Sequence, residues 1–189
     1  MSRKSGKREL IEWVILIAVA GTLYFTGYHT EVIGFVQRLV LSTGIIKPDT
    51  EPDASTQANY NFELVNAAGR VVAFEEFKGK TVFINFWATW CPPCVAEMPD
   101  IHDLYEKTGD QVAFVMISLD DDRNKALRYI QNKEFDFPVY FVNGYLPQVY
   151  ESSSIPSTYV ISSKGNIVTK REGMAKYDTE SFREFLLKL

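Results

Sequence analysis

The stretch Phe86-Trp87-Ala88-Thr89-Trp90-Cys91-Pro92-Pro93-Cys94 holds the only two cysteines of this 189-residue chain. Ahead of it, Thr81-Val-Phe-Ile-Asn-Phe-Trp87 is a near-continuous apolar run, as expected of a central strand buried on both faces. Behind it, Val95, Met98, Ile101, Leu104 and Tyr105 recur at helical spacing over residues 93–108 and form one apolar stripe. A thiol at the start of that helix meets the positive end of the helix dipole and unpaired backbone N–H groups. Both favour the thiolate, the form that attacks disulfides. A second thiol one turn along can close or open a disulfide with the first. Pro92 and Pro93 are tolerated in the first turn, where their missing N–H groups would be unpaired anyway. Strand, Cys-x-x-Cys and helix in this order are the context that a redox reading of the motif requires.

Working outward, strand-like and helix-like segments alternate. Residues 62–65 and 70–73 read as a hairpin turning at Gly69, and 74–80 as a turn or short helical piece. Residues 112–119 read as a second apolar strand, 123–133 as a helix, 137–142 as a short strand and 146–151 as a short helix. A second hairpin, 159–162 with 167–171, turns at Ser163-Lys-Gly-Asn166. A last helix carries Phe182, Phe185, Leu186 and Leu189, capped by Asp178 or Thr179. This order implies a three-layer α/β domain.

The charge is unevenly spread. Residues 1–8 carry Arg3, Lys4, Lys7 and Arg8 and no acid. The remaining 16 basic and 24 acidic side chains leave a net −8. Such an acidic body argues against nucleic-acid binding, which needs a basic footprint. A structural zinc site needs about four N/S ligands, and beyond the cysteines the chain offers only His29 and His102. No metal is therefore expected.

Trp13 to Tyr28 is uncharged, and with Leu10, Ile11 and Glu12 it approaches the ~20 residues that span a bilayer. Trp13, Tyr24 and Tyr28 suit the two interfaces, and the basic start should stay cytoplasmic. A retained signal anchor is the reading adopted. A cleaved signal peptide fits less well, because Ala18-Val19-Ala20 falls inside the apolar run; a helix buried in a soluble domain is the third option. Residues 31–40 continue with helical periodicity, either on the outer membrane surface or packed on the domain. Residues 47–58 read as a polar linker with two prolines. The expected organisation is a basic start (1–9), a transmembrane anchor (10–30), an amphipathic segment with linker (31–58) and the cysteine domain (59–189).

The string Phe77-Lys-Gly-Lys-Thr-Val-Phe-Ile-Asn-Phe-Trp-Ala-Thr-Trp-Cys-Pro-Pro-Cys-Val-Ala-Glu-Met-Pro99, followed by Ile155-Pro156-Ser157-Thr158, resembles the thioredoxin superfamily. It is most similar to the membrane-anchored TlpA/ResA-type thiol–disulfide oxidoreductases, over about residues 60–189. The resemblance implies a thioredoxin-like fold, a central mixed sheet flanked by helices. It makes Cys91 the exposed attacking cysteine and Cys94 the resolving one, with their disulfide as the redox group and no other cofactor. It implies a cis Ile155–Pro156 bond in a loop that docks the partner's backbone. Glu97, one turn after Cys94, becomes a candidate proton relay. Trp90, Pro92 and Pro93 would shape the docking surface, whereas Trp87 is read as core. Thioredoxins have a buried aspartate where this chain has Asn85, which leaves Glu97 as the better acid–base candidate. Expected partners are protein thiols and disulfides, a membrane electron donor and the lipid bilayer, with the domain extracytoplasmic. Substrates would be reduced, apocytochrome c among them.

The rival class is a Cu(I) metallochaperone, since soft thiolates suit that ion. It would need a third ligand, and His102 is the only candidate near the motif.

Overall fold

A computed structural model describes residues 5–26, 28–48 and 56–189. Arg3, Lys4 and most of the linker, 49–55, lie outside the described residues, as do the side chains of Tyr24 and Tyr28.

Helices α1 (Ser5–Thr26) and α2 (Tyr28–Ser42) come first, then β1 (Thr56–Gln57), β2 (Glu63–Asn66), β3 (Val71–Ala73) and β4 (Thr81–Trp87). Helix α3 (Pro92–Thr108), β5 (Val112–Ser118), α4 (Arg123–Asn132), β6 (Val139–Asn143), β7 (Ser157–Ile161), β8 (Asn166–Glu172) and α5 (Glu180–Leu187) complete the chain. The expected helix at 146–151 is a single 3₁₀ turn, Gln148–Tyr150, and a second 3₁₀ turn spans Phe74–Phe77.

The eight strands form one mixed sheet in the order β1-β8-β7-β4-β5-β6-β2-β3. The β4–β5 and β5–β6 pairs are parallel and the others antiparallel. Both parallel crossovers step the same way across the sheet, so right-handed connections bring α3 and α4 to one face. Their buried residues Met98, Ile101, Ala126 and Ile130 share one core with Phe83, Phe114 and Val160, closed by Phe182 and Leu186 of α5. The other face carries Val82, Ile84, Phe86, Tyr159 and Ile161, and is covered by Phe62, Phe74 and Tyr150. One outer layer is thus α-helical and the other is built from 3₁₀ turns and aromatic rings. The sheet begins at Thr56, ahead of the expected boundary at 59, because Thr56 and Gln57 pair with Ile167 and Asn166 at its edge.

Helix α2 lies against α3. A Cβ on Gly34 would come within 3.3 Å of the Pro92 carbonyl and of Val95 Cγ1, so a larger residue would push the two helices apart by a few tenths of an ångström. The side facing the domain is Gly34, Gln37, Arg38 and Leu41, whereas Ile33, Phe35, Val36, Leu39 and Val40 are exposed. The polarity of α2 is thus inverted relative to a soluble amphipathic helix. Helix α1 exposes Leu10, Ile11, Trp13 to Ile17, and Val19.

Among the described residues no helix is long and apolar enough to cross a membrane. The single span expected over 10–30 is divided between α1 and α2. The uncharged part of α1, from Trp13 to Thr26, rises only about 21 Å against a hydrocarbon core of about 30 Å.

Candidate active site

Strand β4 is buried along its whole length and ends at Trp87, which delivers the following loop to the C-terminal ends of the parallel strands. That loop is clamped to the end of β5. Thr89 donates to Asp120 through its backbone N (2.9 Å) and its Oγ1 (2.6 Å), and Ser118 Oγ donates to the same carboxylate at 3.0 Å. Leu119 N donates to the Trp87 carbonyl at 2.8 Å.

Cys91 is the N-cap of α3, in extended conformation, with prolines in the first turn behind it. Its Sγ accepts a hydrogen bond from Cys94 N at 3.3 Å, the donor that a helix start offers to a thiolate. Cys91 and Cys94 are joined as a disulfide with their Cα atoms 5.3 Å apart. The Ile155–Pro156 bond is cis, as the resemblance implies, and the Ile155 carbonyl lies 3.7 Å from Cys91 Sγ. Cys91 is more enclosed than expected, at 4% exposure, because Ile155 and the helix start cover it. It still lines an open groove of about 520 Å³. Trp90, Pro92 and Pro93 form one wall of that groove, Ser152 to Ile155 the other, with Leu119 completing it. Trp90 is 53% exposed, whereas Trp87 is core.

Beneath the disulfide lies a buried polar row. Asn85 on β4 pairs in register with Thr158 on β7, and Thr158 with Arg171 on β8. Cross-strand partners share a face, so all three point towards α3. Glu97 descends from α3 to meet them and is fully buried. Its Oε1 accepts from Asn85 Nδ2 at 2.8 Å and its Oε2 from Ala175 N at 3.1 Å. Asn85 Nδ2 also donates to Thr158 Oγ1 at 2.9 Å, and Tyr177 OH donates to the same oxygen at 2.7 Å. Burial pushes the Glu97 carboxyl up to about 8; the hydrogen bonds from Asn85 and Ala175 oppose the rise, nearby Asp100 adds to it, and Arg171 opposes it. Asp100 accepts from the backbone N–H groups of Tyr177 and Asp178. Burial likewise raises Asp100 and holds Tyr177 well above its ordinary value.

The expected residues thus fall into two groups. Cys91, Trp90, Pro92, Pro93 and Ile155 meet at the groove, while Cys94 and Glu97 lie behind it on α3. Thr158, Tyr177, Ala175, Arg171 and Asp120 were not assigned a role from sequence. Only Thr158, inside the Ile155-Pro-Ser-Thr158 string, carried a local signal. His102 stands two helical turns beyond Cys94, about 12 Å along the axis. Its ring packs on Phe135 and Phe137, at 5.2 and 5.9 Å between centroids. It cannot close a copper chelate with the dithiol. His102, Asp103 and Glu106 do approach one another within 4.8 Å, on the outer side of α3.

The family model for Redoxin matches residues 48–184. The chain belongs to the Redoxin family. The thiol–disulfide oxidoreductase ResA of Bacillus cereus is 26% identical over 184 residues, covering 96% of each chain. ResA of Halalkalibacterium halodurans is 31% identical over 129 residues, which are 67% of this chain and 73% of that one. Among solved structures, a thioredoxin-family thiol:disulfide interchange protein from Chlorobium tepidum superposes with a TM-score of 0.59 at 27% identity. It covers 74% of this chain and 99% of its own. With the Cys91–Cys94 pair in place, this Redoxin-family chain is a thiol–disulfide oxidoreductase of the ResA and DsbE type.

Proposed function

We propose that the protein reduces disulfides of protein substrates outside the cytoplasm, apocytochrome c among them, by exchange through Cys91 and Cys94. The observation that carries this reading is the position of Cys91 Sγ. It caps α3, accepts from Cys94 N, and opens on a groove beside the Ile155 carbonyl.

In the reduced protein the Cys91 thiolate attacks one substrate sulfur. A Cys91–substrate disulfide forms, and the second substrate sulfur leaves as a thiolate and takes up a proton. Cys94 then loses its proton to the Glu97 carboxylate, and its thiolate attacks Cys91 Sγ. The Cys91–Cys94 disulfide closes and the remaining substrate sulfur leaves, to be protonated in turn. Two electrons and two protons pass to the substrate. A membrane dithiol donor restores the reduced pair. The reductive direction is supported by the helix start itself. Pro93 removes one of the two N–H groups that an N-cap side chain can accept, leaving Cys94 N on the sulfur. The thiolate is therefore less stabilised than at a fully donating helix start, which favours the oxidised form at equilibrium.

Membrane attachment is part of this reading. The apolar residues from Leu10 onward lodge in the cytoplasmic membrane, with Arg3, Lys4, Lys7 and Arg8 on the cytoplasmic side and residues 59–189 on the other. The exposed apolar side chains of α1 and α2 support it.

The test is trapping in the native host. Cys94→Ala should accumulate disulfide-linked protein partners, whereas Cys91→Ser should trap none and should not reduce insulin. Full turnover by the Cys91→Ser protein would sink the mechanism. Protease added to sealed spheroplasts should digest the cysteine domain; its protection would overturn the placement.

A further inference from the structure

The hydrogen bonds around Glu97 are those of a carboxylate. Its two oxygens accept from Asn85 Nδ2 and from Ala175 N, and both neighbours are donors. A protonated Glu97 needs an acceptor instead. The Asn85 side chain holds one, since its Oδ1 is buried and has no hydrogen-bond partner among the described residues. The Asn85 backbone is fixed in the sheet opposite Met116 and Thr158. The two ends of a primary amide are nearly equal in size. A half-turn about its last bond therefore exchanges Nδ2 for Oδ1 without disturbing the packing.

We infer that Asn85 is a positioning residue for the Glu97 proton, and that its side-chain amide turns over as Glu97 gains or loses that proton. This rests on the reading of Glu97 as proton partner of the cysteine pair. In the ionised state Nδ2 donates to Glu97 and Thr158, the arrangement of the hydrogen bonds described above. In the protonated state the Glu97 O–H donates to Oδ1, and the Thr158 hydroxyl turns its own hydrogen to the same oxygen. Thr158 serves either orientation because a hydroxyl both donates and accepts. The turned amide leaves Nδ2 unpartnered in place of Oδ1, and the new bond from the Glu97 O–H must outweigh that cost for the proton on Glu97 to select it. The amide itself carries no proton. It keeps both forms of Glu97 hydrogen-bonded at a place that water does not reach.

The other titratable or charged groups around Glu97 do not serve as the acceptor. Asp100, on α3, is engaged by the backbone N–H groups of Tyr177 and Asp178. The Tyr177 hydroxyl, in the segment after β8, donates to Thr158. Arg171, on β8, has only donors.

Neutron diffraction from crystals of the full chain at about pH 6 and about pH 10, either side of the Glu97 midpoint, tests this directly. The low-pH crystal should show deuterium on Glu97 facing Asn85 Oδ1, and the high-pH crystal both Nδ2 deuteriums facing Glu97 and Thr158. An Nδ2 facing Glu97 at both pH values overturns the inference. Carboxyl ¹³C titration of Glu97 in Asn85→Leu gives a second reading. The carboxylate loses a charge-assisted bond and the acid a weaker one, so the midpoint should rise by about one unit, a roughly tenfold change in proton affinity. A less stable variant with an unmoved midpoint overturns it too. A wild-type chain that fails to reduce protein disulfides sinks the functional reading, yet both titration results can still be read.

Discussion

The two faces of the sheet are built on different terms. The face under the 3₁₀ turns is apolar and aromatic, with Phe62 stacked on Phe74 at 4.4 Å and Tyr150 and Tyr159 edge-on at 5.7 Å. Two of its hydroxyls reach backbone carbonyls at the rim: Tyr150 OH donates to Asn59 O and Tyr159 OH to Glu151 O. The helical face is cut by the row Asn85, Thr158 and Arg171, with a fully buried glutamate set into it. Burying that carboxyl is unfavourable unless it is hydrogen-bonded or neutral. The comparison teaches how the two faces differ: one is packed with apolar and aromatic side chains, and the other buries a carboxyl on the helix that carries the disulfide.

Mutations should separate the two. The largest effect is expected on the aromatic face, where Phe74→Ala should cost about 3–5 kcal/mol of stability. Exchange per folded molecule should be unchanged; equal losses in both would blur the division. On the helical face, Glu97→Gln should slow disulfide exchange by about 10²-fold or more, measured by reduction of a model disulfide. Its stability should move with pH in a defined sense. The folded carboxyl titrates near 8, well above its ordinary 4.5. The wild-type stabilisation is therefore complete below the unfolded value and is lost as pH rises through the folded one. Urea unfolding across that window should show a decline in the wild type that Glu97→Gln lacks. A parallel decline in both would remove Glu97 as its source.

At the rim of the same face, Asp120→Asn replaces one of the accepting oxygens by a donor beside Thr89. It should lower stability by about 1–2 kcal/mol and slow exchange modestly. Unchanged thermal unfolding would show that the clamp contributes nothing. The smallest structural effect belongs to Trp90→Ala. This exposed side chain should leave stability within about 0.5 kcal/mol and raise KM for a protein disulfide. A fall in kcat alone would take Trp90 out of substrate docking.

Much of this division was readable in the chain. Strand β4 announces itself because a strand covered on both faces is apolar throughout. The stripe Val95, Met98, Ile101, Leu104 fixes which side of α3 is buried. Gly69 and Gly165 mark their hairpins because both adopt positive φ, at 77° and 85°. The partners of Asn85 were not readable. Thr158 lies 73 residues away, and it faces Asn85 only because of the register between β4 and β7. Local spacing shows which face a residue is on, not which residue lies opposite. Helix α2 was legible only in part, for a related reason. Its periodicity marks an apolar stripe correctly, but the stripe turned to the domain is the one containing Gly34 and Arg38.

The closeness of Gly34 to the Pro92 carbonyl and Val95 has a practical consequence. A shortened, soluble version beginning in the linker would strip one flank from the helix that carries the disulfide. Val95 and Ala96, now buried, would be wetted, and so would the backbone of the first turn that borders Cys91. The electrochemistry of that fragment would be that of a differently insulated electrode. The smallest fragment that keeps this packing therefore starts upstream of Gly34.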